Sequence, residues 1–512
     1  MKLLRYLVLL VVVAMVTFVV SYVAATAIEH FGHHDIAPAT VDIDVDGVLA
    51  RSEIARFDEE SSQVFDHILL ITLDTLRADH VGSYGYPLPT TPFLDRLASE
   101  GVRFARAYAP NNLTCPAHTS ILTGLYPTSH GVTRNGERLS DEILTLPEIL
   151  SAAGYVTAAF PSTNRHFSPA NITQGFTTVG EPEDSETVFD RYRPAQGTLD
   201  TALNWLAKYH DESRVFVWIH LYDAHLPYVD RTEERTLLEG AASIAWDRSV
   251  SETLCRGFRD DRERDEYLKY DAEIRYLDAA LGSFFDNAGP YGIDDYLIIV
   301  VADHGEGLNE HNFWGHAKYI YEEQIHVPLI VRWPGQVRIG VEDAVVESMD
   351  IFPTVLVAAG IGAEYLEDRP HPIEGAPLQD LLDGDADRFG YALARRGTFA
   401  PMPFQRYLGY KVRRRLAPLG VAESGTEPGD DFALINGSTK YIARTVHEDK
   451  IFDLENDPCE LNGSIWRDPV VSEHMRSIVA TKLRELRRLP TPDRESLDEE
   501  ALDRLRALGY IQ

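Results

Sequence analysis

Five apolar segments, separated by stretches of helical character, constrain the fold of this 512-residue chain more than any other feature. They lie at residues 67–73, 155–160, 214–220, 296–302 and 327–333, and each is nearly continuous in Val, Ile, Leu and Phe. Strands that are apolar on both faces are typical of a sheet covered by helices on each side. The alternation therefore predicts an α/β fold, with a mostly parallel sheet between helical layers.

Polar residues stand at the ends of three of these segments. Asp74 follows the first segment, residues 220–225 close the third, and Asp303 and His304 follow the fourth. Because ligands bind beyond the carboxyl ends of parallel strands, we expect these side chains to converge on one site. Two carboxylates, an imidazole and a hydroxyl could together hold one metal ion. Such a site indicates an enzyme that cleaves or transfers esters.

Thr114 supplies the candidate hydroxyl. It begins residues 114–124, in which Pro116 stiffens a turn and Ser120 is predicted to open a helix. A helix N-terminus attracts anions and lowers the cost of forming an alkoxide. A threonine before a helix is most often only a cap. The nearby acidic sites are what make Thr114 a candidate nucleophile.

Three further side chains are candidates for contact with a substrate. His225 follows the third apolar segment, and His316 and Lys318 lie between the fourth and the fifth. Single histidines are usually structural, but histidines at strand or loop ends beside two acidic sites are better candidates. These groups could cradle an anion or protonate a leaving oxygen.

The net charge restricts the possible partners. A formal charge of −32 argues against nucleic-acid binding, which requires a basic surface that displaces counterions. The acidity fits solubility in a salty or extracytoplasmic setting. The three cysteines, Cys115, Cys255 and Cys459, show no metal-ligand spacing and no even disulfide set.

The N-terminus predicts export. Lys2 and Arg5 precede an apolar run at residues 6–28, which is long enough to span a bilayer and too long for a typical signal-peptide core. We therefore predict a membrane anchor, with everything after Ile28 outside the cytoplasm by the positive-inside rule. The small residues at 25–27 leave a cleaved signal, and hence a secreted protein, as the alternative.

The chain divides into four predicted parts. These are an anchor or signal segment at 1–28, an acidic linker at 29–65, a catalytic α/β domain at 66–360 and a C-terminal subdomain at 361–512. Short strand-like runs at 405–413, 432–436 and 439–446 predict that the last part contains a small antiparallel sheet.

Two amphipathic helices and one polar segment complete the prediction. Residues 267–285 place Tyr270, Ile274, Leu277 and Leu281 on one core-facing stripe. Val471, Met475, Ile478 and Leu486 mark a second helix near the C-terminus. The polar segment 231–262 has weak periodicity and is predicted to be a lid or an insertion near the site.

Several motifs together carry a family resemblance. They occur in order at residues 74–79, 114–127, 130–132, 225–228, 303–310, 316–328, 452–458 and 505–510. In this combination the chain resembles the sulfatase-type members of the alkaline phosphatase superfamily, from about residue 66 to its end. The resemblance implies an alkaline-phosphatase-like α/β/α sandwich, one divalent metal ion and a covalent ester intermediate.

The resemblance also implies roles for individual residues. Four matching positions would be linked to the metal, and they are Asp74, Thr114, Asp303 and His304. His118 would lie near the substrate anion, where the common pattern has arginine. His225, with His316 or Lys318, would contact the substrate.

Two departures from the family pattern affect the chemistry. Sulfatases carry a cysteine or serine at the position of Thr114, which is oxidised to formylglycine, and one hydroxyl of its hydrated aldehyde expels the sulfate. Threonine has no second hydroxyl, so its adduct must be cleaved by water or an acceptor. Thr75 replaces an acid often found beside the first ligand. That change favours manganese, zinc or magnesium over calcium.

The sequence thus predicts a metal-dependent hydrolase of sulfate or phosphate esters. One alternative is a phosphoglycerol- or phosphoethanolamine-transferase-like enzyme that passes a headgroup to an envelope glycan or lipid. A second alternative adds another metal ion on Asp223, His225 and His316. A third is an inactive protein that binds sulfated or phosphorylated polymers.

Overall fold

The computed structural model describes residues 64–163, 166–182, 192–245, 258–335, 339–362, 372–381, 389–396, 429–444, 449–462, 475–479 and 481–482. The predicted anchor at 1–28 and nearly all of the predicted linker at 29–65 lie outside these residues, as does the predicted strand at 405–413. Among the described helices, none combines the length and the apolar character needed to cross a membrane.

Fourteen strands are found in the described part of the chain, and they form one large sheet, one small sheet and one two-stranded ribbon. Their bounds are β1 His67–Leu73, β2 Val102–Tyr108, β3 Val156–Pro161, β4 Thr178–Val179, β5 Val215–Leu221, β6 Leu297–Ala302, β7 Gly307–Leu308, β8 Trp314–Gly315, β9 His326–Arg332, β10 Gly340–Glu347, β11 Phe389–Arg396, β12 Gly429–Asn436, β13 Thr439–Arg444 and β14 Lys450–Asp453. The large sheet has the order β10-β2-β9-β6-β1-β5-β3-β4.

The α-helices of the described segments connect and cover these strands. Their bounds are α1 Pro92–Glu100, α2 Thr114–Thr123, α3 Pro127–His130, α4 Leu146–Ala152, α5 Ala195–Tyr209, α6 Thr232–Ala245, α7 Asp261–Ala288, α8 Glu322–Ile325, α9 Ile351–Ala358 and α10 Leu378–Leu381. The element order and the mixed sheet confirm the predicted α/β class.

The predicted segments are apolar because they form the central strands of the large sheet. Strand β1 lies between β5 and β6 and runs parallel to both, with Leu69 in register with Val217 and Ile298. Residues 68–73 are fully buried, because helices or loops cover both faces. The five predicted strands are confirmed to within one residue at each end, as β1, β3, β5, β6 and β9.

Three strands of the large sheet, β2, β4 and β10, were not predicted. Strand β2 alternates between buried and partly exposed residues, including Arg103 and Arg106, and β10 carries Glu342 and Asp343 at the sheet edge. These strands meet water on one side, so their sequences lack the continuous apolar character of the central strands. Pairing of β9 with β2 and with β6 is antiparallel, which makes the sheet mixed.

The small sheet has the order β11-β12-β13-β14, and every pairing in it is antiparallel. Strands β12 and β13 confirm the runs predicted at 432–436 and 439–446. Strands β11 and β14 were missed, because both are short or mix charged with apolar residues. The described residues of the terminal helix are 475–479 and 481–482, and Met475 and Val479 among them are buried.

Helix α7 is longer than predicted and carries the predicted core stripe. It begins after Asp260, whose carboxylate accepts hydrogen bonds from the backbone N–H groups of Arg262 and Glu263. All four residues of the stripe at 270–281 are buried. The polar segment at 231–262, which is predicted to be a lid or an insertion, contains helix α6. Residues 246–257 of this segment lie outside the described part of the chain.

Asp278 on α7 caps the start of α1, so its removal should destabilise the protein. Its two carboxylate oxygens accept hydrogen bonds from the backbone N–H groups of Phe93 and Leu94, at 2.8 and 2.9 Å. We expect Asp278→Ala to lower the free energy of unfolding by about 2–4 kcal/mol, because two buried donors lose their acceptor. Chemical denaturation measures this change. The exposed Asp286→Ala on the same helix should change it by less than about 0.5 kcal/mol.

Candidate active site

The carboxyl ends of β1, β5 and β6 bring the candidate residues together. Asp74 is the first residue after β1, and its backbone N–H donates to the carbonyl oxygen of Leu221 at the end of β5 (2.9 Å). Asp303 is the first residue after β6, which is the neighbour of β1 on the other side. The convergence predicted from the strand ends is therefore a direct consequence of the strand order.

Asp74, Asp303 and His304 form a buried cluster that could hold a metal ion. One potential ligand atom from each residue lies within 4.8 Å of the others. The backbone N–H groups of Thr75 and His304 both donate to Oδ1 of Asp303, at 3.2 and 2.8 Å. Thr75 adopts a left-handed conformation (φ 59°), and its hydroxyl donates to the carbonyl oxygen of Asp74 (2.7 Å).

The unpaired atoms of this cluster fit a divalent cation. Oδ1 of Asp74 and Oδ2 of Asp303 are buried and have no hydrogen-bond partner in the described part of the chain. Nδ1 of His304 donates to the carbonyl oxygen of Gly305 (2.9 Å). The neutral ring therefore turns the lone pair of Nε2 toward the cluster, which is the form that binds a metal.

Burial makes the ionised form of the two carboxyl groups unfavourable unless a nearby positive charge compensates it. Desolvation, followed by repulsion from Asp74, raises the pKa of Asp303 to about 8. Desolvation and repulsion from Glu306 raise the pKa of Asp74 well above its usual value, although the Thr114 hydroxyl opposes the rise. Two such groups side by side are stabilised as anions when a cation lies between them.

Thr114 is the first residue of α2 and lies against the cluster. Its Oγ1 is 3.5 Å from Nε2 of His304, and the residue is buried. The helix begins at Thr114 rather than at Ser120, so the predicted helix start was six residues too late. Thr114 nevertheless lies at a helix N-terminus, as the sequence predicts.

His118 holds the start of α2 in place. Nδ1 of His118 donates to the carbonyl oxygen of Thr114 (2.8 Å), and Nε2 lies 3.0 Å from the hydroxyl of Thr72. That hydroxyl also accepts from Nε1 of Trp218 (2.9 Å). Burial lowers the pKa of His118 well below its usual value, so the ring is neutral. Both ring nitrogens are engaged, which favours a positioning role over the predicted contact with an anion.

His225 and His316 lie together beside His304. Their ring centroids are 5.0 Å apart, and the centroids of His304 and His316 are 4.5 Å apart. His225 stacks on Tyr222, and its Nε2 has no partner among the described residues. Burial lowers the pKa of His225 to about 3 and that of His316 to about 4. Both predicted substrate contacts thus border the candidate metal cluster.

Lys318 and Asp223 make contacts outside this group of imidazoles. The ammonium of Lys318 lies over the rings of Phe313 and Tyr319, at 5.2 and 4.9 Å. Asp223 accepts from the backbone N–H of Ala195 (3.0 Å) and from Nη2 of Arg231 (3.1 Å). Because its carboxylate already has these partners, the geometry does not favour the alternative of a second metal on Asp223.

Two residues of the site, His220 and Asn135, are not among the predicted metal ligands or substrate contacts. His220, in β5, contacts Oδ2 of Asp74 through Nε2 (3.2 Å) and orients that carboxylate. Asn135 accepts from the backbone N–H of Cys115 through Oδ1 (2.8 Å), while its buried Nδ2 has no partner among the described residues. Only the tertiary structure brings Asn135 to the start of α2, so spacing along the chain gave no signal for it.

Substitution of Asp74 should separate metal binding from folding. In Asp74→Asn, we expect the unfolding temperature of the metal-free protein to stay the same or rise, because the repulsion between two buried carboxyl groups is relieved. The stabilisation by added Mn²⁺, Zn²⁺ or Mg²⁺ should be lost. For the wild-type protein, that stabilisation is about 2.7 kcal/mol at a cation concentration a hundred times the Kd.

Thermal unfolding of chelator-treated protein, with and without each cation, measures both effects. Asp286→Asn is the control, because Asp286 is exposed on α7 and should leave the cation response unchanged. If Asp74→Asn keeps the full cation-induced shift, Asp74 is not a metal ligand.

Comparison with known proteins shows the family to which the chain belongs. The family described as Sulfatase matches residues 66–361, which is more than half of the chain. The N-acetylglucosamine-6-O-sulfatase of Bacteroides thetaiotaomicron is 24% identical over 481 residues, covering 77% of this chain and 82% of the relative. The choline-sulfatase of Rhizobium meliloti is 25% identical over 450 residues, covering 77% and 81%.

A solved structure shows the same fold. The phosphonate monoester hydrolase of Agrobacterium radiobacter superimposes with a TM-score of 0.58 at 18% identity, over 82% of this chain and 95% of that one. Together with the family match, the fold and the buried cluster lead to one conclusion. The chain belongs to the sulfatase family of sulfuric ester hydrolases.

Proposed function

We propose that this protein hydrolyses sulfate or phosphate esters through a covalent intermediate on Thr114, with the help of one divalent metal ion. One observation carries the proposal: the Thr114 hydroxyl is buried at the first position of α2, 3.5 Å from Nε2 of His304. It therefore lies at a helix N-terminus and beside the three candidate metal ligands.

Asp74, Asp303 and His304, with the Thr114 hydroxyl, would hold the metal. A bound divalent ion lowers the pKa of an adjacent hydroxyl and offsets the negative charge that develops on the ester. Two carboxylates and one imidazole suit manganese, zinc or magnesium better than calcium, which prefers more oxygen ligands.

Two polar side chains, Asn135 and His118, hydrogen-bond to the backbone at the start of α2. Nδ2 of Asn135 is fixed in orientation, because Oδ1 of the same amide accepts from the backbone N–H of Cys115. We assign this donor to a non-bridging oxygen of the ester, where it stabilises charge in the transition state. His118 maintains the position of Thr114 through its hydrogen bond to the Thr114 carbonyl oxygen.

The threonine at position 114 also affects which kind of ester the protein can hydrolyse. The relatives include sulfatases, and the fold neighbours include a phosphonate monoester hydrolase. An adduct on threonine lacks the second hydroxyl by which a hydrated aldehyde expels sulfate. Water must therefore displace it, and such a displacement is easier at phosphorus than at sulfur. We infer that phosphate esters and diesters are at least as suitable as sulfate esters, and that the alcohol part is a glycan or a lipid headgroup.

Export to the cell envelope is part of the proposal. The apolar run at 6–28, preceded by Lys2 and Arg5, supports a membrane anchor or a cleaved signal. Cys459 is disulfide-bonded, while Cys115 is free and buried. A structural disulfide is typical of an oxidising, extracytoplasmic compartment. An envelope headgroup transferase would share these features and differs only in the acceptor.

Turnover of three model esters tests the assignment of Thr114. We expect wild-type protein with added Mn²⁺, Zn²⁺ or Mg²⁺ to hydrolyse at least one of 4-nitrophenyl sulfate, 4-nitrophenyl phosphate and bis(4-nitrophenyl) phosphate. Thr114→Ala should reduce kcat by about 10⁴-fold, because no nucleophile remains. Thr114→Ser keeps a hydroxyl and should keep measurable turnover. Acid-quenched wild-type protein should carry a mass adduct that Thr114→Ala lacks.

Thr119→Ala is the matched control. Thr119 is also buried on α2, but its hydroxyl donates to the backbone oxygen of Cys115 (2.7 Å). This variant should keep turnover close to the wild-type value. Wild-type turnover by Thr114→Ala would contradict the proposal. A modified glycan or lipid as product, in place of free alcohol and acid, would favour the transferase.

A further inference from the structure

The loop that leads into α2 is held by two neighbouring asparagines, both of them buried. Nδ2 of Asn111 donates to the carbonyl oxygen of Leu393 in β11 (2.7 Å). Nδ2 of Asn112 donates to Oε1 of Gln324 in α8 (2.9 Å). The start of α2 is therefore attached by side chains to two other elements, one from the C-terminal sheet and one from the turn before β9.

The amide of Asn112 has a fixed orientation. Its Nδ2 also donates to the carbonyl oxygen of Tyr319 (2.6 Å). Because a nitrogen that meets a carbonyl oxygen must be the donor end of the amide, the atom of Gln324 that it contacts is the acceptor. Asn112 is two residues before Thr114, so these hydrogen bonds restrict the backbone that carries the proposed nucleophile.

Gln324 also contacts the turn that carries His304. Its carbonyl oxygen accepts from the backbone N–H of Gly305, the residue after His304 (2.9 Å). The packing is close here, since a Cβ at residue 305 would lie 2.1 Å from the carbonyl oxygen of Glu323. Gln324 is fully buried. One residue thus bonds through its side chain to the loop before Thr114 and through its backbone to the turn after His304.

Helix α8 is itself anchored to the C-terminal part of the chain. The ammonium of Lys440 in β13 is fully buried and lies 2.9 Å from Oε1 of Glu322, the first residue of α8. It also lies 3.0 Å from Oε1 of Glu460. Another oxygen of Glu460 accepts from the backbone N–H of Glu322 (2.5 Å). Breaking a buried ion cluster is costly, so α8 gives Gln324 a fixed base.

Only the acceptor half of the Gln324 amide is used. Its Nε2 is buried and has no hydrogen-bond partner among the described residues. An apolar side chain of the same length would fill this space without the cost of an unpaired donor. The amide is therefore unfavourable for stability at one end while it fixes Asn112 at the other, which is a pattern typical of functional sites.

We propose that Gln324 is a positioning residue that fixes the Thr114 hydroxyl relative to His304. This inference rests on the proposed function, because it assigns a role in the same reaction. Oγ1 of Thr114 lies 3.5 Å from Nε2 of His304, and Gln324 bonds to a near neighbour of each. A nucleophile that moves by about 1 Å can lose about 10²-fold in rate, because the reacting atoms must meet at close range.

Gln324→Met tests this role, because it removes the acceptor and keeps the length of the side chain. On whichever of the three model esters the wild-type protein hydrolyses, we expect kcat to fall by about 10²-fold and KM to change by less than about threefold. The backbone contact with Gly305 stays in place, so the stabilisation by added Mn²⁺, Zn²⁺ or Mg²⁺ should remain. Destabilisation alone would not lower kcat at an unchanged cation response. Steady-state kinetics and thermal unfolding measure the two effects.

Three further variants identify the hydrogen bond responsible, and they apply even if Gln324→Met does not fold. Gln324→Glu keeps an acceptor oxygen at the same position and should keep kcat within about tenfold of the wild-type value. Asn112→Ala removes the donor, and with it the bond to Tyr319, so its kcat should fall at least as far as that of Gln324→Met. The double variant should lose no more than Asn112→Ala, because both residues act through one hydrogen bond.

Gln379→Met is the matched control. Gln379 is a partly buried amide whose Nε2 donates to the carbonyl oxygen of Thr354 in α9 (3.1 Å). This variant loses a hydrogen bond of the same kind outside the candidate site, and it should leave both kcat and the cation response unchanged.

Three results would overturn the inference. One is a kcat of Gln324→Met within about threefold of the wild-type value. Another is a double variant in which the two single losses multiply, since the residues would then act independently. The third is loss of the cation response in Gln324→Met, which would place the defect in metal binding. Failure of the proposed function gives a different result, namely full turnover by Thr114→Ala.

Discussion

The site depends on the placement of two carboxyl groups, Asp74 and Asp303, at the ends of neighbouring parallel strands. Side by side and out of water, these groups repel one another, and burial raises the pKa of both. The fold tolerates this cost because backbone N–H groups hold one oxygen of Asp303 and His220 holds one oxygen of Asp74. The two carboxylate oxygens that lack a hydrogen-bond partner among the described residues are those that would bind a divalent cation.

Neutral histidines form the remainder of the site. A chain of hydrogen bonds runs from Trp218 through Thr72 and His118 to the carbonyl oxygen of Thr114. It ties the start of α2 to strand β1, so the hydroxyl and the carboxylates belong to one rigid unit. Where the family pattern has an arginine, this chain thus has a buried imidazole that holds the backbone of Thr114, the proposed nucleophile. Compared with the arginine of the family pattern, the neutral imidazole of His118 removes a positive charge from the site. It also holds the start of α2 by a hydrogen bond.

Much of this arrangement could be predicted from residue patterns. The continuous apolar segments identify the five central strands, because strands buried on both faces tolerate few polar residues. Strands β2 and β10 escaped detection because they lie toward the sheet edge and carry charged residues. The helix containing Thr114 begins six residues earlier than the sequence pattern predicts, because Pro116 occupies an early helix position, where proline is well accepted.

The sequence by itself determined the class of fold and the candidate ligands Asp74, Asp303, His304 and Thr114, because strand-end acids and motif order are local features. Only the tertiary structure decided which neighbours those residues meet. The side-chain Oδ1 of Asn135 accepts a hydrogen bond from the backbone N–H of Cys115, twenty residues earlier in the chain, and the carboxylate of Glu306 contacts His316, ten residues later. Such pairs depend on the close packing of loops above the sheet, and no periodicity along the chain encodes that packing.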